Sequence, residues 1–173
     1  MYLEKMFGLK GKIAIVTGGG RGIGQVIACG LAKAGAEVVI ISRSGAEETV
    51  KMIEEDGGKA YDLKADVTDE AQVDHALQTI LDRSGSIDIL FNNAGICMHQ
   101  STLEATIEEF RQVVDVNLTG EFIMARAVGV NNGELVPSAR SNCTTLPKQE
   151  YRLAGWLYRS ATALCQRCEP LFR

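Results

Sequence analysis

The sequence predicts an α/β protein with a doubly wound parallel sheet, which is incomplete and continues into an irregular C-terminal tail. Through the first 128 residues, short β-rich apolar runs alternate with longer helical patterns, as expected when crossover helices connect parallel strands. The run at residues 13–16 is apolar throughout, which suits a strand buried on both faces. After Gly129 the alternation stops, basic residues outnumber acidic ones, and all three prolines follow. We therefore assign residues 7–128 to one domain and residues 129–173 to an atypical tail.

Four strands are predicted in the domain, at residues 13–16, 38–41, 60–65 and 87–91. The first helix follows a glycine-rich turn and ends before Gly35. Three- and four-residue spacing predicts that its apolar face contains Ile23, Val26, Ile27, Leu31 and Ala34. The second helix is polar and runs from about Ala46 to the glycines at 57–58.

The third helix is predicted to begin after Thr68 as its N-cap and to bury Val73, Ala76, Leu77, Ile80 and Leu81. A long helix from about Glu104 to Arg126 places several apolar residues and one asparagine near a single stripe: Phe110, Val113, Val114, Asn117, Leu118 and Phe122. In the tail, residues 140–147 are polar and irregular, and residues 153–164 are compatible with a short helix.

The predicted strands give a sheet ordered 3-2-1-4, with the fourth strand at an open edge. An open edge exposes unpaired backbone groups and invites association. Separately, apolar side chains of the long helix, such as Phe110 and Phe122, are expected to be exposed, with a risk of aggregation.

Bulk composition limits the classes of partner. The formal net charge of −4, without any cluster of aromatic and basic residues, argues against nucleic acid or an anionic membrane. No apolar run approaches the roughly 18 residues of a membrane span, and the first residues lack the apolar segment of a secretory signal. We expect a cytoplasmic protein with reduced thiols.

The chemical signal is strongest directly after the first strand, where Thr17-Gly18-Gly19-Gly20-Arg21-Gly22-Ile23-Gly24 leads into a helix. Glycines let the backbone turn sharply and approach a pyrophosphate closely, while the helix N-terminus offers free N–H groups and the positive end of its dipole. A glycine triplet alone is also compatible with a simple tight turn. Here the flanking strand and helix favour a dinucleotide site.

Further motifs follow in order: Asp66-Val67, Asn92-Asn93-Ala94-Gly95 and Asn117-Leu118-Thr119-Gly120. Across residues 7–128 this succession resembles the short-chain dehydrogenase/reductase family, with the chain as an altered or C-terminally truncated member. The resemblance implies a Rossmann fold, a nicotinamide cofactor and hydride transfer between an alcohol and a carbonyl. It assigns cofactor binding to Thr17, Gly18, Arg21, Gly22, Ile23, Gly24, Ser42, Arg43, Asp66, Val67, Asn93, Ala94 and Gly95.

Within that set, the resemblance implies that Asp66 contacts the adenine amino group and Val67 the adenine ring. The segment 93–95 would then line the nicotinamide ribose. Two structural alternatives stay open. Asp66 would also serve as a cap for the chain entering the next helix, and Asn93 would also serve as a brace between strands.

The end of the second strand decides between NADP and NAD. An NAD site usually has an acid there to bind the ribose 2′-hydroxyl, whereas this chain has Ser42-Arg43-Ser44 and no acid before Glu47. An arginine fork binds a 2′-phosphate by charge-assisted hydrogen bonds, and Arg21 adds a second cation. We favour NADP, with NAD as the alternative, although both arginines would also suit a solvated surface.

The catalytic set of the family is incomplete. The resemblance implies a tyrosine proton donor with a lysine four residues later, a serine near the reacting oxygen, and an asparagine that anchors a relay water. Asn117 matches the asparagine. Tyr158 lies where the tyrosine is expected but is followed by Thr162, and Thr144 lies near the serine position. None of the four tyrosines has the lysine, so the chain is expected to be inactive.

This mismatch leaves competing interpretations. The first is an NADP-dependent oxidoreductase lineage acting on a small carbonyl or alcohol, such as a sugar or keto-sugar acid. The alternatives are a non-catalytic dinucleotide-binding fragment and an unstable product. A frameshift, an exon junction or a gene-model error would explain the tail, and translating the other reading frames beyond the Gly129 codon tests this. The resemblance also implies homo-oligomers that pair through the long helix and the tyrosine helix after it. Because this chain lacks the tyrosine helix, we do not expect such oligomers to form.

No metal site is predicted. Cys165 and Cys168 have the spacing of a metal knuckle, but they supply only two of the four ligands that a structural zinc needs. His75 and His99 do not complete a site at any recognisable spacing.

Overall fold

The computed structural model describes residues 8–97, 101, 103–131 and 139–141. Its strands are β1 (Ile13–Thr17), β2 (Glu37–Ser42), β3 (Lys59–Lys64), β4 (Ile89–Asn92) and β5 (Ala139–Ser141). Its α-helices are α1 (Gly22–Lys33), α2 (Glu47–Glu55), α3 (Glu70–Ser84), α4 (Ile107–Val114) and α5 (Gly120–Asn131). A π-helical turn, Asp115–Thr119, joins α4 to α5 in one continuous helical segment.

The sheet is parallel, with strand order β3-β2-β1-β4-β5. In the centre, Ile15 of β1 pairs with Val39 of β2 on one side and with Leu90 of β4 on the other. Since every connection between the first four strands crosses over by a helix, the carboxyl ends of these strands meet at one edge. The doubly wound parallel sheet predicted from the sequence is confirmed.

The prediction that β4 forms an open edge is wrong. Residues 139–141 form a short parallel strand against it, with Ala139 opposite Leu90 and Ser141 opposite Asn92. The strand overlaps the start of the segment 140–147, which the sequence predicts to be polar and irregular. Pairing at a sheet edge uses backbone N–H and C=O groups, which every residue but proline supplies, so a polar tripeptide can join the sheet without an apolar signature.

The core has two layers because β1 and β2 are buried on both faces. One face of the sheet packs with α3 and α5 through residues that include Ile15, Val39, Leu77 and Met124. The other face packs with α1 and α2 through residues that include Val16, Ile40, Ala28 and Ile53. Every residue of β1 is buried, as its uninterrupted apolar run predicts.

The predicted apolar face of α1 is partly wrong. Ile23 and Val26 are 60% and 70% exposed, whereas the buried residues of the helix are Gly24, Ala28 and Ala32. These three small residues recur every four positions, so they form a stripe that lets the helix backbone approach the sheet. Helical spacing of large apolar residues therefore identified the helix but selected the wrong side of it.

The third helix confirms the predicted interior and corrects its cap. Val73, Ala76, Leu77 and Ile80 are buried. The N-cap is Asp69, however, whose side chain accepts hydrogen bonds from the backbone N–H groups of the two residues at 71 and 72. A carboxylate at this position also matches the helix dipole, which explains why it replaces the neighbouring threonine as the cap.

The long helix is confirmed, but the stripe predicted for it is shifted. Its buried residues in the described part are Val113, Val116, Gly120, Met124 and Val128. In the π-helical turn the Gly120 N–H donates to the Asp115 carbonyl, five residues back, and the extra residue rotates the side chains that follow. Phe110 and Phe122 are 55% and 46% exposed, as expected from the sequence.

Several sequence predictions lie outside the described residues. They concern Tyr158 with Thr162, Thr144, the cysteine pair at 165 and 168, His99 and the helix at 153–164. Across the ranges that the structure describes, no helix combines the length and apolar character needed to cross a bilayer. The same ranges contain no cluster of three or more histidine, cysteine, aspartate or glutamate residues able to hold a metal ion.

Candidate functional site

The glycine turn, residues 18–21, connects the carboxyl end of β1 to the first residue of α1. Gly18 has a φ of 66°, and its N–H donates to the Ile41 carbonyl of β2 at 2.8 Å. A Cβ on Gly24 would overlap the Gly18 carbonyl oxygen and lie 2.5 Å from Asn93 Nδ2. The turn is therefore compact enough that a side chain at position 24 would displace it.

The N-terminus of α1 has no cap from its own sequence. The N-cap residue Arg21 is extended and makes no side-chain capping hydrogen bond, and the first turn contains no acidic residue. By contrast, Asp69 caps α3, and Thr106 forms a capping box with Glu109 at the start of α4. Because the N-terminal N–H groups and the dipole of α1 are left without an anionic partner from the described chain, this end of the helix is suited to bind an anion.

A buried hydroxyl fastens the glycine turn to the end of β4. Thr17 is 1% exposed, and its Oγ1 accepts hydrogen bonds from the backbone N–H groups of Asn93 and Ala94, both at 2.9 Å. In return, Asn93 Nδ2 donates to the carbonyls of Thr17 at 3.1 Å and Gly18 at 3.3 Å. These contacts support the role of Asn93 as a brace between two strand ends.

Asn117 lies in the π-helical turn, and both ends of its side-chain amide bind one residue. Its Oδ1 accepts from the Ile96 N–H at 2.8 Å, and its Nδ2 donates to the Ile96 carbonyl at 2.8 Å. The long helix thereby fixes the segment that follows β4, next to Gly95. These contacts use one of the two Nδ2 N–H groups and one of the two Oδ1 lone pairs, so the rest of the amide and the backbone of Asn117 can still bind a relay water.

The second part of the site, here called the β2–β3 wall, consists of residues 42–47 and 64–66. Arg43 Nη1 lies 3.7 Å from Asp66 Oδ2, with side chains 58% and 29% exposed. Lys64 Nζ lies 3.4 Å from Glu47 Oε1. The backbone hydrogen bond of Glu47 and its pairing with Lys64 lower the pKa of that carboxyl below its ordinary value. Two exposed ion pairs thus cross the wall.

Local hydrogen bonds shape the backbone of the wall. Ser42 Oγ donates to the Gly45 carbonyl at 2.9 Å, and the Ala46 N–H donates to Asp62 Oδ2 at 3.0 Å. Asp66 Oδ1 accepts from both the N–H and the hydroxyl of Thr68. Asp66 therefore does organise the chain before α3, as one of the two sequence interpretations proposed, although the helix cap itself is Asp69.

The remaining predicted residues differ in their accessibility. Arg21 is exposed, and no carboxylate of the described chain lies within ion-pair distance of it. Ile23 is largely exposed, whereas Val67 is only 6% exposed and belongs to the apolar core. The predicted site residues at the ends of β1 and β4 are joined by direct contacts, and those at the ends of β2 and β3 are joined by the Arg43–Asp66 pair.

Sequence reasoning missed three residues near this site: Gln25, Thr49 and Lys64. Thr49 is completely buried, between α1 and the glycine turn. Its position was available from the sequence, since Ala46, Thr49 and Ile53 share the inward face of α2 at helical spacing. A polar residue at an inward position signals a specific hydrogen-bond partner.

The family model for short chain dehydrogenase matches residues 12–131. Glucose 1-dehydrogenase 2 of Bacillus subtilis is 40% identical over 123 residues, covering 69% of this chain and 48% of that protein. The NADP-dependent mannitol dehydrogenase of Alternaria alternata is 39% identical over 135 residues, covering 75% and 51%.

A crystal structure of a short-chain type dehydrogenase/reductase from Mycobacterium marinum is similar with a TM-score of 0.73 and 37% identity, covering 77% of this chain and 56% of that one. The chain thus spans about half the length of the relatives that it matches. Members of this oxidoreductase family bind nicotinamide nucleotides. The matched model, the relatives and the fold together place the chain in the short-chain dehydrogenase family.

Proposed function

We propose that this chain binds NADP through the glycine turn and the β2–β3 wall, as the dinucleotide-binding part of an oxidoreductase. The uncapped N-terminus of α1 carries this proposal, because the helix directs N–H groups and a positive dipole end at a site that its own sequence does not fill. A Cβ on Gly22 would meet no atom within 4 Å, so the backbone at the start of α1 is open to an approaching phosphate. The residues present therefore fit the coenzyme.

Each side of the site has a distinct role in the proposal. Gly22, Ile23 and Gly24 offer backbone N–H groups to the pyrophosphate, with the exposed side chain of Ile23 beside it. Thr17 and Asn93 hold the turn in place, and Ala94 and Gly95 keep the surface near the nicotinamide ribose free of bulk. A bound nicotinamide coenzyme supplies or accepts a hydride.

The preference for NADP rests on charge at the β2–β3 wall. Ser42 occupies the position where an NAD site usually carries an acid, and Arg43 and Arg21 are both exposed cations. Glu47, the first acid after β2, is paired with Lys64, so its charge is partly neutralised. The name of the Alternaria relative, an NADP-dependent enzyme, supports the same choice. Asp66 and Val67 are proposed to lie beside the adenine. Arg43 is proposed to give up its ion pair with Asp66 and bind the 2′-phosphate instead.

We further propose that these 173 residues bind coenzyme without turnover. No tyrosine of the sequence is followed four residues later by lysine, so the proton donor of the family is absent from this chain. Asn117 holds Ile96 and can anchor a relay water, but the chain lacks the tyrosine–lysine pair that such a water would serve. The domain bounds, 7–128 and 129–173, are part of this proposal.

For the lineage, we propose a small carbonyl or alcohol substrate of the sugar type. The printed names of two relatives, a glucose dehydrogenase and a mannitol dehydrogenase, support this class. The half-exposed Phe110 and Phe122 lie on the long helix, the surface through which we expect family members to pair.

Two titrations test the proposal. Enhancement of NADPH fluorescence on addition of the chain, with tenfold weaker binding of NADH, is the expected result. Loss of NADPH absorbance on addition of a sugar ketone is expected to be absent. Turnover would overturn the proposed inactivity, equal NADH binding would overturn the NADP preference, and no binding of either nucleotide would overturn the proposal as a whole.

A further inference from the structure

Thr49 connects two elements that the proposed coenzyme site depends on. Its side chain is 0% exposed and comes from α2, which lies beside the glycine turn. The Oγ1 atom donates to the Gly19 carbonyl at 3.0 Å and accepts from Gln25 Nε2, also at 3.0 Å. Gln25 belongs to the first turns of α1, so one hydroxyl contacts the turn and the helix that follows it.

The two hydrogen bonds fix the direction of the hydroxyl proton. The side-chain amide nitrogen of Gln25 can only donate, so Thr49 Oγ1 must be the acceptor in that contact. The single hydroxyl hydrogen is then available for the Gly19 carbonyl, which can only accept. Both partners of Thr49 are thus satisfied, and the carbonyl of Gly19 is held toward α2.

Holding this carbonyl also orients the next N–H group. The described chain contains no cis peptide, and in a planar trans peptide the C=O of one residue and the N–H of the next point in opposite directions. The Gly20 N–H therefore points away from α2. In the described part of the chain it has no backbone or side-chain acceptor.

We propose that Thr49, held by Gln25, is a positioning residue for the dinucleotide: it locks the Gly19–Gly20 peptide so that the Gly20 N–H faces the pyrophosphate. This inference rests on the proposed function and deepens it. Without the hydroxyl, the Gly19 carbonyl is buried without a donor, and rotation of this peptide would relieve that loss. Glycine on both sides offers little resistance to such rotation, so the hydroxyl supplies the restraint that the sequence of the turn lacks.

The test compares the whole coenzyme with a ligand that lacks the pyrophosphate. We expect Thr49→Val, which keeps the shape but removes the hydroxyl, to weaken NADPH binding about 10–30-fold in a fluorescence titration, as one lost charge-assisted contact with its reorganisation implies. The affinity of the same variant for adenosine 2′-monophosphate, which lacks the pyrophosphate, should change less than about twofold when measured by competition. Thr49→Ser, which retains the hydroxyl, should bind NADPH within about threefold of wild type.

Two further variants separate positioning from general loss of structure. Gln25→Met removes the donor to Thr49 but leaves the hydroxyl, so we expect an intermediate loss, about threefold to tenfold, for NADPH alone. Thr79→Val removes a similar hydroxyl-to-carbonyl hydrogen bond, to His75 within α3, and should leave both ligands unaffected. If Thr49→Val does not fold, Gln25→Met and Thr49→Ser carry the comparison.

Equal weakening of NADPH and adenosine 2′-monophosphate by Thr49→Val, or by Gln25→Met, would overturn the positioning role, as would unchanged NADPH binding in both variants. If wild type binds neither ligand, the proposed function fails and this inference fails with it. If wild type binds both and the variants do not discriminate between them, only the inference fails.

Discussion

The two parts of the candidate site, the glycine turn and the β2–β3 wall, are built from different interactions. The glycine turn is held by neutral hydrogen bonds from Thr17, Asn93 and Thr49, of which the Thr49 bond is buried and the others are half-buried. The β2–β3 wall is crossed by exposed ion pairs, Arg43–Asp66 and Lys64–Glu47. A buried network is costly to break because its groups have no water to replace the lost partner, whereas an exposed ion pair contributes about 1 kcal/mol or less and exchanges partners readily.

The site thus combines a fixed side, the glycine turn, with an adjustable side, the β2–β3 wall. Every nicotinamide dinucleotide has the same pyrophosphate, so a preformed turn suits all of them. The 2′ position distinguishes NADP from NAD, and there an arginine that can leave Asp66 for a phosphate is more useful than a rigid one.

The severest test of the fixed side is Gly24→Ala. The new Cβ would overlap the Gly18 carbonyl and meet Asn93 Nδ2, so the turn must move, and we expect more than 100-fold weaker NADPH binding or loss of the fold. The matched control is Gly30→Ala in the same helix, where a Cβ meets nothing within 4 Å. That control should bind normally and gain about 1 kcal/mol of stability in urea denaturation. Normal binding by Gly24→Ala would show that the turn is not closely packed.

Thr17→Val probes the buried brace. Valine has the same shape, but it leaves the N–H groups of Asn93 and Ala94 without an acceptor, and we expect the free energy of unfolding to fall by about 2–5 kcal/mol. Urea denaturation followed by circular dichroism measures this loss. Thr79→Val serves as the control and should cost about 1 kcal/mol or less. A loss no larger than that of the control would contradict the distinction between the two sides.

One titratable group adjoins the fixed side. Burial raises the pKa of Glu121 from an ordinary 4.5 to about 7, and its backbone carbonyl accepts a hydrogen bond from Asn92. The folded chain binds this proton more tightly than the unfolded chain, so protonated Glu121 contributes to the free energy of unfolding. This contribution is fully present below about pH 4.5. It is lost as the pH rises to about 7, and the loss is about 1–3 kcal/mol.

Urea denaturation at several pH values should therefore show this decrease in wild type and a flatter profile in Glu121→Gln. Glu108→Gln, an exposed change on α4, is the control and should retain the wild-type slope. An unaltered slope in Glu121→Gln would assign the pH dependence to other groups.

Arg43→Ala tests the adjustable side. Loss of one guanidinium beside the 2′-phosphate should weaken NADPH binding about tenfold and leave NADH binding within about twofold. Arg111→Ala, which removes an exposed arginine paired only locally with Glu108, is the control. An equal loss for both coenzymes would mean that Arg43 supports the wall rather than reading the phosphate.

The smallest effect concerns salt. Raising the ionic strength from about 0.05 M to about 0.5 M should weaken NADPH binding by a further factor of about 3 relative to NADH, because exposed charges are screened over a few ångströms at high salt. Isothermal titration at both salt concentrations measures the ratio. A constant ratio would remove the electrostatic basis of the NADP preference.

The fixed side was more predictable from sequence than the rest of the chain. The turn from Thr17 to Gly24 encodes its conformation locally, through glycines between an apolar strand and a helix, so motif and structure coincide. The two central strands, β1 and β2, were likewise visible because burial on both faces demands uninterrupted apolar runs.

What could not be predicted depends on tertiary contacts. The buried stripe of α1 consists of small residues, which a search for large apolar side chains does not weigh. The π-helical turn at 115–119 shifts the buried stripe of the long helix, and its Asn117 contacts Ile96, 21 residues away, which no local pattern announces. The pairing of β5 with β4 follows a backbone register that has no apolar signature in the sequence, and the partners of Thr49 come from two other segments.

The bare amino end of α1 has a consequence for the lifetime of the chain. Because the N–H groups at this end have no partner from the helix's own sequence, an anionic ligand that binds them would stabilise the folded chain. A ligand at about 100 times its dissociation constant raises the free energy of unfolding by about 2.7 kcal/mol. If the chain binds NADP as proposed, its resistance to proteolysis should increase with the coenzyme concentration in solution, because bound nucleotide stabilises the folded state.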